Sequence, residues 1–218
     1  MNSVDTSTLW PMGRAQRRAG KTRTKLLDAA LAVFTEMGVD AASIEKITEK
    51  ADVGKGTFYR HFADKQQLLQ ALIEEAIEKL NVRIADSTDV SDSLEKRLEQ
   101  LFDEHVEFFL QHTQQYILLL QGRMFIKPGR DSTGDIEASY VRYLETIEQQ
   151  VAPFLPVGIE AVKIRGLSCA IAGFVFGFFS FGMIGLSRQQ IQDSLRPLRK
   201  AFVESMVMFL TRQNKQEQ

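Results

Sequence analysis

Apolar residues recur along almost the whole chain at spacings of three and four, the period of a helix that buries one face. No stretch alternates apolar and polar residues long enough to suggest a strand, so the pattern predicts an all-α fold. From Thr22, a single stripe of Leu26, Leu27, Ala30, Val33, Phe34 and Met37 makes a first helix, and Gly38 supplies its stop. Ser43 is a suitable N-cap for a second, whose inward face is Ile44, Ile47 and Ala51. Asp52, Val53 and Gly54 break it, and a short third helix covers about Lys55 to His61. Asp64 can cap a long fourth one carrying Leu68, Leu69, Leu72, Ile73, Ile77 and Leu80.

A polar stretch from Asp86 to Asp92 reads as a loop, after which Leu94, Leu98, Leu101, Phe102, His105, Phe108 and Phe109 restore the stripe. A helix from about Thr113 to Ile126 leads to a loop at Lys127 to Gly134. Beyond it the pattern predicts a helix near Ile136 to Val151, a break at Pro153 and Pro156, an apolar helix near Ile159 to Ile184, and a last helix ending near Arg212. Ser187 and Gln190 have the spacing of a capping box for that last helix, and Pro197 is expected to split or kink it.

The 218 residues are 44% apolar and 25% charged, the balance of a folded domain rather than of a disordered chain. Charge is unevenly placed. The net charge is −1, yet residues 1–27 carry six basic residues (Arg14, Arg17, Arg18, Lys21, Arg23 and Lys25) against Asp5 alone, so positive potential concentrates at one end. These cations read as a flexible basic arm over residues 1–20, able to enter a minor groove beside a DNA-binding motif, or as a solubilising tail. Cys169 is the only cysteine, which excludes an intramolecular disulfide and makes a reducing cytosol the simplest setting. No export signal is expected from the first twelve residues and the basic stretch after them.

The segment Ser43 to Phe62 (SIEKITEKADVGKGTFYRHF) has the length of a helix-turn-helix: a capped helix, a tight turn, and a second helix too short to stand alone. Projected at about 100° per residue, Phe58 and Phe62 point one way, while Gly56 and Arg60 point opposite and Thr57 and Tyr59 flank them. The outward face is small, hydroxylated and cationic, which suits a major groove. A glycine lets backbone approach, hydroxyls reach phosphate oxygens, and arginine can contact guanine in bidentate fashion. Lys55 and Lys65, each at a helix start, add charge beside N-termini that attract phosphate.

The run VGKGTFYRHFADKQQLL, with SIEKITEKA and KTRTKLLDAALAVFTEMG before it, resembles the DNA-binding domain of tetracycline-repressor (TetR) type regulators over about Lys21 to Leu69. The resemblance implies that Thr57 and Tyr59 contact the DNA backbone, that Lys55, Gly56 and Arg60 lie at the bases, and that His61 and Lys65 clamp phosphates. Ser43, at the head of the preceding helix, is counted with these candidate DNA contacts. Two positions depart from the pattern: Gly54 stands where serine is common, and Glu45 where some members carry a basic residue. The layout expected is a helix-turn-helix domain over residues 21–66, a helical ligand-binding and dimerisation domain over 67–213, and a tail over 214–218.

Gly166 to Leu186 is free of charge for 21 residues, long enough for a single membrane span, and the alternative reading is a membrane-anchored helical protein. The segment is glycine-rich, however, and no Trp or Tyr marks its ends. The resemblance implies instead that this helix and the last one pack on their copies in a homodimer, with Gly173, Gly177, Phe181, Phe202 and Met206 as candidate interface residues. A dimer would place two recognition helices on a palindromic double-stranded operator. Phe102, His105, Phe109, Tyr116, Arg123, Met124, Phe174 and Phe178 are the candidate lining of a site for an apolar small-molecule inducer, with His112 a further polar anchor. The function expected is a cytoplasmic transcriptional repressor released from DNA by such a ligand. Three histidines, one cysteine and no phosphate loop or nucleophile elbow argue against an enzyme, and no catalytic residue, metal site or cofactor is expected.

Overall fold

The computed structural model describes residues 14–86, 93–126 and 135–213, which are helical apart from short connections, with no strand among them. The expectations for residues 1–13, 87–92, 127–134 and 214–218 lie outside the described residues. Contacts divide the chain into two units between Leu68 and Leu69. The first holds α1 (Arg14–Met37), α2 (Ile44–Lys50), α3 (Lys55–Tyr59) and the start of α4 (Lys65–Asp86). The second holds the rest of α4, then α5 (Leu94–Gln111), α6 (Thr113–Arg123), α7 (Asp135–Val151), α8 (Ala161–Gly185) and α9 (Arg188–Gln213), with a 3-10 turn at Ala152–Phe154.

Local chemistry sets the ends of these helices. Gly38, at φ 84°, terminates α1 with its N–H on the Phe34 carbonyl, a backbone state that costs glycine nothing. The Ser43 hydroxyl accepts from the Lys46 N–H at 3.3 Å, Asp64 accepts from the Gln67 N–H at 2.7 Å, and Ser187 and Gln190 close a reciprocal capping box. In the first unit Leu26, Ala30, Phe34, Ile47, Phe58 and Leu68 are fully buried and form the core.

Two expectations about helices are corrected. The basic stretch before Thr22 is not an irregular arm from residue 14 onward: Arg14 to Lys21 are helical and form the first turns of α1, with every side chain from Gln16 to Lys21 exposed. Arginine, alanine, glutamine and lysine are strong helix formers, and propagation onto an existing helix needs no new nucleus. Pro197 does not divide the last helix, since α9 runs unbroken through it. Ile191 on one side of the proline and Phe202, Met206 and Leu210 on the other are buried, and that packing outweighs the ~3 kcal/mol an interior proline costs.

The core of the second unit centres on Phe109. Its ring lies 4.6 Å from Tyr116, 4.8 Å from Phe176 and 5.5 Å from Phe179, joining α5, α6 and α8 through edge-to-face and tilted contacts. Helix α8 is long and apolar enough to cross a membrane by length and composition alone. In this fold Leu167, Ile171, Val175, Phe176 and Phe179 pack on α5, α7 and α9, while Phe181, Met183 and Ile184 at its C-terminal end are exposed.

Candidate DNA-reading helix and ligand cavity

Five residues cannot hold a helix by themselves, so α3 depends on what it buries. Phe58 is fully buried and Phe62 nearly so, with ring centroids 5.8 Å apart; Arg23 of α1 lies over the Phe62 ring at 5.2 Å. The turn into α3 places Asp52 at φ 54°, a left-handed state that aspartate tolerates better than most residues. Gly54 caps α3 with no side-chain bond, its carbonyl accepting from the Thr57 N–H at 2.8 Å.

The opposite side of α3 is open. Lys55, Gly56, Tyr59 and Arg60 are exposed, Tyr59 by 56%, and Thr57 and His61 are half-buried beside them. Arg60 folds back so that its guanidinium donates to the Thr57 hydroxyl at 3.1 Å. Ser43 is half-buried and engaged in capping α2. Lys55 pairs with Glu45 across the turn at 2.5 Å, and that bond is the main reason the Glu45 carboxyl is held down to about 2. Both side chains are largely exposed, so the pair is easily exchanged for a phosphate or a base edge.

Lys65 stands apart from this face. Its ammonium donates to the carbonyls of Val39, Asp40 and Ala42 at 2.7, 3.3 and 2.8 Å. Three hydrogens meet three acceptors, so the group ties the α1–α2 connection to the head of α4 instead of pointing a free charge outward. The phosphate role the family resemblance implies for Lys65 is corrected to an anchor of the first unit. Charge and position in the sequence suggest an exposed cation; only the path of residues 39–42 reveals the carbonyls.

The second unit contains a cavity of about 280 Å³ between α7, α8 and the end of α6. Of the eight residues expected to line a ligand site, Arg123 alone borders it. Phe102, Phe109 and Tyr116 are buried core; the Tyr116 hydroxyl donates to the Phe176 carbonyl at 2.9 Å. Met124 is 84% exposed, Phe174 packs on Phe202, and Phe178 is half-buried against Phe179. The walls are Tyr140, Tyr143 and Leu144 on α7 facing Cys169, Gly173 and Phe176 on α8. Each set has helical spacing, a signal present in the sequence, but only the gap between two helices tells a cavity wall from core. Gly122, just before Arg123, has no room for a side chain: a Cβ there would meet Ile73 Cδ1 at 2.5 Å and the Tyr140 hydroxyl at 2.8 Å.

The candidate interface residues divide in the same way. Phe181 is exposed and Gly177 half-buried, whereas Gly173 borders the cavity. Phe202 and Met206 are buried within the protomer, Phe202 against Phe102 and Phe174, because α9 turns this stripe toward α5 and α8. They are corrected from interface to core.

His112, the further polar anchor expected, closes α5 and opens α6 with its ring against Phe108. His105 is fully buried: its Nδ1–H donates to the Leu101 carbonyl, which leaves Nε2 to accept from the Tyr143 hydroxyl at 2.7 Å. Burial pulls the imidazole down to about 4, against the Leu101 bond, which raises it. Between that value and the ordinary ~6.5 the unfolded chain binds a proton the folded chain does not, so stability rises with pH across this window and falls as pH drops through it. Thermal unfolding of the second unit between pH 7 and pH 4.5 should show a loss of roughly 2–3 kcal/mol in the wild type that is missing from His105→Leu. Equal slopes would show that His105 is protonated in the folded state.

The family model described as bacterial regulatory proteins, tetR family, matches residues 26–72. The Transposon Tn10 TetC protein of Escherichia coli is 31% identical over 102 residues, 47% of this chain and 51% of the relative. The HTH-type transcriptional repressor KstR2 of Mycobacterium tuberculosis is 29% identical over 107 residues, 49% of this chain and 54% of the relative. The chain thus spans about half the length of these relatives. Among solved structures, the regulator FadR from Bacillus subtilis in complex with stearoyl-CoA superposes with a TM-score of 0.68 at 17% identity, covering 83% of this chain and 97% of that one. FadR from Bacillus halodurans gives 0.68 at 17% identity, with 89% and 97% covered. At this identity the likeness is one of fold.

Proposed function

We propose that this chain, whose residues 26–72 match the model of the tetR family of bacterial regulatory proteins, is a homodimeric transcriptional repressor, acting in the cytoplasm, that binds a palindromic operator through α3. The observation that carries this reading is the two-sidedness of α3: Phe58 and Phe62 hold it from within, and Lys55, Gly56, Tyr59 and Arg60 lie together on the outside. The exposed cations at the start of α1 would add phosphate contacts from a helix rather than a minor-groove arm. One short helix reads only a few base pairs, so a second copy is needed. The exposed apolar end of α8, with Phe181 and Ile184 one turn apart, is the face we assign to it. Occupation of the cavity in the second unit would release DNA by favouring a dimer geometry in which the two recognition helices no longer match successive major grooves. The resemblance to a repressor and to a regulator solved with an acyl-CoA supports both halves of the proposal.

Selection of binding sites from a random duplex pool tests it. The wild type should enrich a palindrome with half-sites about one helical turn apart. Arg60→Ala should broaden the motif at one position per half-site, with about 1–3 kcal/mol less discrimination there, whereas Lys65→Ala should lower the yield of folded protein without changing the motif. A pool that enriches no sequence, or Arg60→Ala selecting the wild-type motif unchanged, would refute the assignment.

A further inference from the structure

The donor inventory of the cavity limits what it can hold. The Tyr140 hydroxyl donates to the Leu119 carbonyl and the Tyr143 hydroxyl to His105, so both phenolic hydrogens are already committed to the protein. Glu137, the acid among the lining residues, has an interaction partner of its own. Arg123 sits exposed at the rim with no hydrogen-bond or ion-pair partner among the described residues. Its charge reaches both phenols, opposing the upward push that burial gives their pKa. The cavity therefore presents apolar and aromatic walls and one strong, uncommitted donor, a planar fork whose natural complement is a carboxylate.

Size narrows the class further. A volume of about 280 Å³ lies at the low end for small-molecule sites. At the ~30 Å³ that a water claims in the liquid, it holds on the order of ten non-hydrogen atoms.

Resting on the reading of this unit as ligand-responsive, we infer that its ligand is a compact organic monocarboxylate, aliphatic or aromatic, bound with its acid on Arg123 and its body against Tyr143 and Phe176. A neutral molecule of the same shape would leave the guanidinium unpaired and bind more weakly. A long-chain acyl-CoA would not fit as a whole.

Cys169 provides the readout, because it is the only thiol in the chain, is exposed, and borders the cavity. A ligand that fills the site should slow its reaction with a chromogenic disulfide. In the full-length protein, octanoate and phenylpropanoate should protect Cys169 saturably, with octanamide at least about tenfold weaker and stearoyl-CoA without effect at matched concentration. Arg123→Gln should bring octanoate down to the level of octanamide and leave octanamide unchanged. Gly173→Leu adds a side chain where a Cβ meets nothing within 4 Å, and should abolish protection by every probe while keeping the thermal transition. Equal protection by acid and amide, an unchanged preference in Arg123→Gln, tighter protection by stearoyl-CoA, or no protection by any probe would each overturn the inference. DNA binding of the same preparations without ligand is measured in parallel. Its failure would count against the regulator reading and leaves the ligand result standing.

Discussion

Replacing Phe58 with alanine is expected to unfold the N-terminal unit and abolish DNA binding while the C-terminal helices stay folded. The ring is fully buried in a small core with Phe34, Ile47 and Leu68, and it touches both Phe62 and Tyr59. Truncating a buried phenylalanine costs about 3–5 kcal/mol, against a total of roughly 5–15 kcal/mol for whole domains of ordinary size. The unit ends at Leu68, so it has little stability to lose. Helix α3 has five residues and a glycine cap without a side-chain bond, so it depends on burying Phe58 and Phe62 to stay formed. Amide hydrogen exchange resolved along the chain should show residues up to about Leu68 losing protection in Phe58→Ala while α5 and α8 retain theirs. Arg60→Ala, which removes an exposed side chain, should leave both units protected. Uniform loss across the chain would mean that the two units do not fold as separate cores.

Much of the architecture was legible in the residues because the chemistry that ends a helix is local. Ser43, Gly38, Asp64 and the Ser187–Gln190 pair act on neighbours within four residues, and each behaves as its type dictates. The two faces of α3 could be read for a similar reason: the 3.6-residue period fixes which side chains share a side, and only one side is apolar. What could not be read depends on distant chain. The Lys65 ammonium finds its carbonyls across more than twenty residues of sequence. Phe202 and Met206 belong to an apolar stripe that sequence cannot assign to the protomer or to a partner, since either gives the same pattern. Phe102, Phe109 and Tyr116 have the composition of a pocket wall, yet they meet rings on every side, and the space lies one layer away between α7 and α8. Hydrophobicity locates what is buried; it carries no information on where packing stops short.

The second large effect is expected at Gly56, where stability and function should part. A Cβ built at this position meets nothing within 4 Å, so the free protein has room for a side chain. Glycine inside a helix is also the less stable choice, by roughly 0.5–1 kcal/mol relative to alanine, and Gly56→Leu should melt no earlier than the wild type. Bound to DNA, the same position would lie where backbone approaches base edges, flanked by Lys55 and Arg60, and a leucine there would hold the whole helix out of the groove. Titration of an operator duplex with Gly56→Leu therefore puts the outward face of α3 to the most direct trial. Unchanged melting with specific binding lost at salt concentrations where the wild type saturates the duplex is the result the proposed function predicts. Binding at wild-type strength would show that this side of α3 never meets DNA.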